Sequence, residues 1–241
     1  MTVELSVVVP VYNEAENVGP LAREVAAALQ GRDFELIVVD DGSGDGTAAA
    51  ALAARSDGIP QLRLLRHSQR CGQSRALCSG VAAARAAWVA TLDGDGQNDP
   101  ADIVALLETR DRPEHAAVEL FIGHRVQRRD TVWRRLQSRI ANGIRAALLG
   151  DRTPDTGCGL KLFKRERFRE LPQFDHMHRF LPALFVRAGA IVVSVPVRHR
   201  PRAAGRSKYG MWDRLWVGIV DLLGVMWLRR RWRAGLIVRE E

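Results

Sequence analysis

The segment ATLDGDGQNDP, residues 90 to 100, places Asp93, Asp95 and Asp99 within seven positions, directly after the apolar run Trp88 to Leu92. Two aspartates spaced i, i+2 in a turn can each aim a carboxylate oxygen at one point. That supplies part of the oxygen shell of a hard divalent cation such as Mg2+ or Mn2+. Gly94 and Gly96 let the backbone fold tightly around that point, and Gln97 adds a neutral amide oxygen within the same turn. Asp93, Asp95 and Gln97 are therefore the candidate metal ligands. Asp99 followed by Pro100 reads as the start of the next helix. An isolated pair of aspartates also caps turns, so the meaning of this one rests on its surroundings.

Other phosphate and metal chemistries fail on inspection. An EF-hand loop starting at Asp93 needs Gly at its sixth position and Glu at its twelfth, where this chain has Asn98 and Val104. A phosphatase with an aspartyl nucleophile would read DxDx(T/V), whereas Gln97 occupies the fifth position. No GxxxxGK(S/T) occurs, and no GxGxxG follows the first apolar run, so neither a P-loop nor a dinucleotide cradle is present.

The elements that must position these residues are short β-rich runs alternating with helical stretches. The runs are Leu5 to Val11, Phe34 to Asp41, Leu62 to Arg66, Trp88 to Leu92, Val118 to Gly123 and Ile191 to Val197. The first, second and fourth are nearly continuously apolar, as strands covered on both faces must be. Between runs, stretches such as PLAREVAAALQ and SRALCSGVAAARAA have the composition of helices. The alternation predicts an α/β fold, a mostly parallel sheet flanked by helices. In such a sheet the loops at the carboxyl ends of the strands gather at one edge, where ligands bind. Three are chemically loaded: PVYNEAEN, VDDGSGDGT and LDGDGQNDP. All three are expected to face one cleft.

The chain has 241 residues, 46% of them hydrophobic, enough for one large α/β domain or one domain plus an appendage. Its formal charge of +8 attracts anions in general: nucleic acid, lipid headgroups or phosphorylated small molecules. Nucleic acid is disfavoured, because no RNP, helix-turn-helix or zinc-finger signature is present and acidic loops repel a phosphate backbone. Only Lys161, Lys164 and Lys208 are lysines among 36 basic residues; the rest are arginines, suited to bidentate phosphate contact. Cys71, Cys78 and Cys158 are odd in number and lack CxxC spacing, which fits inert thiols in a reducing compartment. No secretion signal is read in MTVELSVVVPVY, where Glu4 stands in place of basic residues.

The pairing of PVYNEAENV with VDDGSGDGT and a downstream DGDGQNDP resembles the GT-A glycosyltransferases of inverting family 2, which use nucleotide-diphosphate sugars. Within that family the chain looks most like the polyprenyl-phosphate branch typified by dolichol-phosphate mannosyltransferase. Further likeness lies in GHR at 123–125, RLQSRIANGI at 135–144, DTGCGLKLF at 155–163 and HRPRAAGRSKYG at 199–210. The resemblance covers roughly residues 5 to 210, so 1–210 is read as a GT-A, Rossmann-like catalytic domain. It implies that Pro10, Tyr12, Glu14, Asp40 and Asp41 hold the nucleoside of a UDP- or GDP-sugar, with one carboxylate of the Asp40/Asp41 pair accepting from the base. It implies that Asp93, Asp95 and Gln97 bind Mg2+ or Mn2+ on the donor diphosphate. Arg125, Arg139, Arg202, Ser207 and Lys208 match positions that hold the acceptor phosphate, and Asp155 an acidic position near them. Asp93, Asp95, Arg125 and Arg139 are the implied catalytic set.

The chemistry suits that distribution. A metal clamp offsets the charge developing on a departing nucleoside diphosphate. A lipid phosphate is already anionic near neutral pH and attacks without a strong general base. Arginines are then needed to position a charged nucleophile. Relatives that glycosylate hydroxyls in polysaccharide or glycolipid synthesis would carry an Asp base near FDHMHRFLPAL. Here Asp175, His176 and His178 are present and read as structural, so a hydroxyl acceptor is the alternative. An inactive scaffold that binds a membrane partner is a third reading.

Residues 211 to 241 are read as a separate tail. Trp212, Trp216, Trp227 and Trp232 are four of the six tryptophans, and Leu215, Ile219, Leu222, Leu223 and Met226 recur at helical spacing. Leu222 to Leu228 is far short of the roughly 20 residues that span a bilayer. The tail is expected to lie as an amphipathic helix in the interface, with Arg229, Arg230, Arg231 and Arg233 attracted to anionic lipid. Packing against the domain is the alternative. The expectation is a peripheral protein on the cytoplasmic side of the cell membrane, serving cell envelope biogenesis. With no appended transmembrane helices read, a separate integral membrane protein is a candidate recipient of its product.

Overall fold

The computed structural model describes residues 3–126, 143, 148–151, 153–201 and 211–231, the stretch 211–217 as backbone only. Its strands are β1 (Leu5–Val11), β2 (Phe34–Asp40), β3 (Leu62–Arg66), β4 (Trp88–Thr91), β5 (Val118–Arg125), β6 (Lys161–Lys164) and β7 (Ile191–Val197). The helices are α1 (Ala15–Ala28), α2 (Thr47–Ser56), α3 (Gln73–Ala83), α4 (Asp102–Arg110), α5 (Arg165–Arg169), α6 (Leu181–Arg187) and α7 (Met211–Arg231). All six expected strands form. The first helix begins earlier than its sequence suggests, at Ala15, because Pro20 near the helix start forfeits only one backbone bond.

The strands make one sheet in the order β3-β2-β1-β4-β6-β5-β7. β1, β2, β3 and β4 are mutually parallel, and β5 is parallel to β7. β6 is antiparallel to both β4 and β5, pairing Lys161 with Thr91 on one side and Ile122 on the other. It is the strand that the sequence pattern missed: four residues, KLFK, bracketed by lysines. Its reversed direction has a consequence, since its beginning rather than its end lies at the sheet edge where β4 and β5 finish. The segment leading into it, Asp155 to Leu160, therefore reaches the same edge as the Asp93 and Arg125 loops.

Side chains alternate across the sheet and divide between two cores. Leu5, Val7, Val9 and Val11 of β1, with Leu36 and Val38 of β2, pack against α1, α2 and α4. Val8, Ile37 and Val39 point the other way, onto α3 and α6. Full coverage on both faces is why β1 and β2 read as unbroken apolar runs. One polar cluster lies inside this framework. Ser6 Oγ donates to Glu35 Oε1 at 2.7 Å, the Arg85 amide donates to the same oxygen at 2.6 Å, and Arg63 pairs with Oε2. Burial would raise the Glu35 pKa, yet these bonds hold it below the usual carboxylate value.

α7 closes the second core through Val225, which is fully buried, with Leu222 and Met226 packed beside it. Polar contacts fix the helix: the Arg187 Nε–H donates to the Leu228 carbonyl at 3.2 Å, and Arg229 to the Leu148 carbonyl at 3.1 Å. Among the described residues no helix is long and apolar enough to cross a membrane.

Candidate active site

The three acidic loops meet at the carboxyl edge of β1, β2 and β4 and brace one another. Asn13, held at φ +52°, donates its backbone N–H to Ser43 Oγ at 2.9 Å, while its own Oδ1 accepts from the Gly44 amide at 3.0 Å. That ties the first loop to the second. Gly94 ties the first to the third: a Cβ there would stand 2.6 Å from Val11 Cγ1 and 3.0 Å from the Pro10 carbonyl. Only glycine permits that approach.

At the carboxyl end of β2, Asp41 serves the protein itself. Its Oδ1 lies 2.8 Å from His67 Nδ1 and accepts from the Cys71 amide at 2.8 Å, and its Oδ2 accepts from the Gly72 amide at 2.8 Å. The loop from His67 to Gly72 is thereby folded over the end of β2. It sets the Arg70 guanidinium 4.5 Å above the Tyr12 ring. Asp40 differs: its Oδ1 accepts from the Ser43 amide at 2.8 Å, but among the described residues its buried Oδ2 has no hydrogen bond, and Arg66 Nε stands 3.4 Å from it. Glu14 accepts from Asn17 Nδ2 at 2.6 Å.

The two-aspartate loop closes on itself in the way its glycines suggested. Asn98 Oδ1 accepts from the Asp93 amide at 3.1 Å, Asp95 Oδ1 accepts from the Gln97 amide at 3.1 Å, and Gly96 adopts φ +73°. Gln73 Nε2, at the start of α3, donates to Asp93 Oδ1 at 2.9 Å. Burial, and then the neighbouring Asp95 charge, push the Asp93 pKa above its ordinary value, while Lys161, Gln73 and Arg125 act to lower it. A buried carboxylate whose ionised form is disfavoured by a neighbouring carboxylate is part of a hard-oxygen donor set, and a divalent cation is the species that relieves it. The residues present fit such an ion.

Asp99 and Asp102 have another task. Asp99 takes Arg198 Nη1 at 3.1 Å and Arg200 Nη2 at 2.7 Å, while Asp102 accepts from the Arg198 amide at 2.7 Å and its Nε–H at 3.0 Å. The Gln97 carbonyl accepts from the Arg200 amide at 3.0 Å. The third aspartate of the opening motif thus fastens the chain after β7 to the two-aspartate loop, a role its sequence position did not disclose. A cavity of about 510 Å³ lies there, with Val126, Pro196 and Val197 on its apolar side.

Arg125, at the end of β5, is gripped by Asp155: Nε–H to Oδ2 at 2.6 Å, Nη2–H to Oδ1 at 2.8 Å. Its Nη2 would stand 3.4 Å from a Cβ at Gly157, two residues before the Gly159 backbone that lies against the Asp93 carboxylate, so Arg125 and Asp93 converge on one segment. Arg139, Arg202, Ser207 and Lys208, the other expected acceptor residues, lie outside the described residues. His178 is partly buried with Nδ1 2.8 Å from Ser74 Oγ, and desolvation, followed by the charges of Lys161, Arg179 and His176, lowers its pKa to about 3. His176 Nδ1 stands 3.0 Å from Asp221 on α7.

Residues 6–171 match the family model described as Glycosyl transferase family 2. The chain belongs to that family. A family 2 relative, the dodecaprenyl-phosphate galacturonate synthase of Rhizobium johnstonii, is 37% identical over 236 residues, 95% of this chain and 68% of the relative. The undecaprenyl-phosphate 4-deoxy-4-formamido-L-arabinose transferase of Edwardsiella ictaluri is 30% identical over 209 residues, 86% of this chain and 63% of the relative. The chain thus spans about two thirds of the length of these family 2 relatives. Among solved structures, the glucosyl-3-phosphoglycerate synthase of Mycobacterium tuberculosis, in complex with Mn2+, UDP and glucosyl-3-phosphoglycerate, superposes with a TM-score of 0.71 at 21% identity. That match covers 94% of this chain and 79% of the other. A mannosyltransferase from Pyrobaculum calidifontis in complex with GDP-Man and Mn2+ gives 0.69 at 23% identity, over 96% of this chain and 66% of the other. The fold is GT-A, as expected.

Proposed function

We propose that this chain is an inverting, metal-dependent glycosyltransferase that moves a sugar from a nucleoside diphosphate donor to a polyprenyl phosphate at a membrane surface. The observation that carries the reading is the convergence of Arg125 and Asp93 on one short segment at the sheet edge, where a Cβ at Gly157 would stand 3.4 Å from Arg125 Nη2 and one at Gly159 2.2 Å from Asp93 Oδ2. A donor diphosphate and an anionic acceptor need opposite charges within reach of each other, and the names of the 37% and 30% identical relatives supply the acceptor class.

Pro10, Tyr12, Glu14, Asp40 and Asp41 line the nucleoside end, and Asp40 Oδ2 is the carboxylate oxygen with capacity left to accept from a base. A divalent ion, Mg2+ or Mn2+, held by Asp93, Asp95 and Gln97 would offset charge on the departing diphosphate. Arg125, Arg139, Arg202, Ser207 and Lys208 orient the acceptor phosphate, which attacks the anomeric carbon from the side opposite the leaving group. A hydroxyl acceptor would need a general base near FDHMHRFLPAL; His178, engaged with Ser74 and with its pKa lowered to about 3, is too weak a base for that task, which leaves Asp175 as the residue that reading would need.

Residues 1–210 form the catalytic unit and 211–241 its attachment to the cytoplasmic face of the membrane. The support lies on α7. With Val225 turned inward, Ile219, Val220, Leu223 and Trp227 stand 43 to 60% exposed along the outer side, next to Arg229, Arg230 and Arg231. An apolar stripe bordered by arginines suits an anionic bilayer surface, and the glycolipid formed there would pass to a separate integral membrane protein. The test is incubation of purified protein with undecaprenyl or dolichyl phosphate and a panel of UDP- and GDP-sugars, UDP-galacturonate included, with Mn2+. Lipid-linked sugar by mass spectrometry is the expected product. Transfer to a soluble hydroxyl acceptor without lipid phosphate would replace this reading with the alternative.

A further inference from the structure

A lysine that the sequence reading left unassigned sits under the metal loop. Lys161, the first residue of β6, is 4% exposed and paired in the sheet between Thr91 and Ile122. Its ammonium donates to the Cys158 carbonyl, and among the described residues no carboxylate lies within ion-pair distance of it. A buried ammonium with one neutral acceptor is costly to keep. The backbone leading into it is tied to the neighbouring strands. Thr91 Oγ1 donates to the Gly159 carbonyl at 2.7 Å, the Gly123 amide donates to the Leu160 carbonyl at 2.9 Å, and the Gly159 backbone lies directly against the Asp93 carboxylate. Burial lowers the Lys161 pKa, opposed by the charges of Cys158, Asp93 and Asp155 and reinforced by that of Arg125.

We propose that Lys161 is a positioning residue of the transfer reaction, a fixed buried cation that biases the site towards the anionic donor and against a lone divalent ion. It acts through the field it sets at Asp93, without touching substrate. A positive charge behind the acidic pair opposes a metal ion and favours a diphosphate, so the ion is drawn in together with the nucleotide rather than ahead of it. The inference rests on the assignment of Asp93 and Asp95 as metal ligands.

The test is calorimetric titration of Mn2+ alone, and of UDP and GDP in chelator, into wild-type protein, Lys161→Met, Lys161→Gln and Lys161→Arg. Gln keeps a donor for the Cys158 carbonyl if Met fails to fold. Removal of the charge should tighten Mn2+ by about tenfold and weaken metal-free nucleotide by several-fold, on the order expected for one unit charge in a partly buried site. Arg should restore both. Opposite signs are the electrostatic signature; loss of packing would weaken both ligands together. Parallel losses, or two unchanged affinities, in a protein that still binds Mn2+ with UDP would overturn the inference alone. If wild type and variants all fail to bind Mn2+ even with UDP or GDP, the metal assignment itself falls, and the inference with it.

Discussion

Arg125 and Asp155 meet through two parallel hydrogen bonds, at 2.6 and 2.8 Å, and the Arg125 amide adds a third to Asp155 Oδ2 at 3.3 Å. A guanidinium held in a fork by a buried carboxylate keeps its plane fixed, while the rest of its five N–H groups remain for a ligand. The hydrogen bond that Arg125 donates to Asp155, together with the Asp155 charge, raises the Arg125 pKa against the opposing effect of burial. Asp155→Asn should therefore release the plane of Arg125 and raise the KM for polyprenyl phosphate by about tenfold, roughly the worth of one charge-assisted bond. Nucleotide affinity should stay constant. Initial rates at varied acceptor check this; a change confined to donor binding would show that Arg125 serves the other side of the cleft.

Gly159 offers a second test, because a Cβ there would stand 2.2 Å from Asp93 Oδ2. Gly159→Ala must push the carboxylate out of place or move the backbone leading into β6. The expected outcome is a Mn2+ requirement raised by at least about tenfold, consistent with the cost of displacing one ligand by a fraction of an ångström. The melting temperature should change little. Unchanged Mn2+ activation would mean that Asp93 does not ligate from this position.

How much of this was readable beforehand depends on what each residue does with its neighbours. β1, β2 and β4 were legible because strands covered on both faces announce themselves as apolar runs, and the three acidic loops follow from where such strands end. β6 was not, since four residues bracketed by lysines carry no period long enough to detect. Its lysine was the available signal: Lys161 interrupts the apolar stretch around CGLKLF in a chain with three lysines in all. Asp99 and Asp102 pair with Arg198 and Arg200 almost a hundred positions away. Local spacing cannot announce such a partnership.

The Glu35 cluster predicts a pH dependence of stability. Its folded pKa lies below the ordinary value, so the stabilisation is fully present above the ordinary carboxylate range and is lost as pH falls through the lowered folded value. Glu35→Gln should cost about 1 to 3 kcal/mol at neutral pH, the scale for breaking a charged hydrogen-bonded pair at a buried position. The gap between wild type and variant should narrow in acid. Denaturant melts at pH 7 and pH 3 measure both; a gap that widened in acid would reverse the assignment.

The outward stripe of α7 can be tested apart from the chemistry. Leu223 and Trp227 are 59 and 60% exposed, so Leu223→Asp with Trp227→Asp should leave the fold intact. Binding to vesicles containing anionic lipid should fall by about two orders of magnitude, given roughly 1.5 to 3 kcal/mol for each large apolar side chain withdrawn from a membrane. Flotation assays decide it. Full retention on vesicles would place the attachment elsewhere.

The most direct measurement is the rate of lipid-linked sugar formation as Mn2+ is titrated back after chelation, in wild type and in Asp93→Ala and Asp95→Ala. Wild type should be silent in chelator and recover with the ion, and both variants should stay at least about a thousandfold slower at saturating Mn2+, the scale for losing a charge clamp on the leaving group. Transfer that persists in chelator, or survives either substitution, would contradict the account.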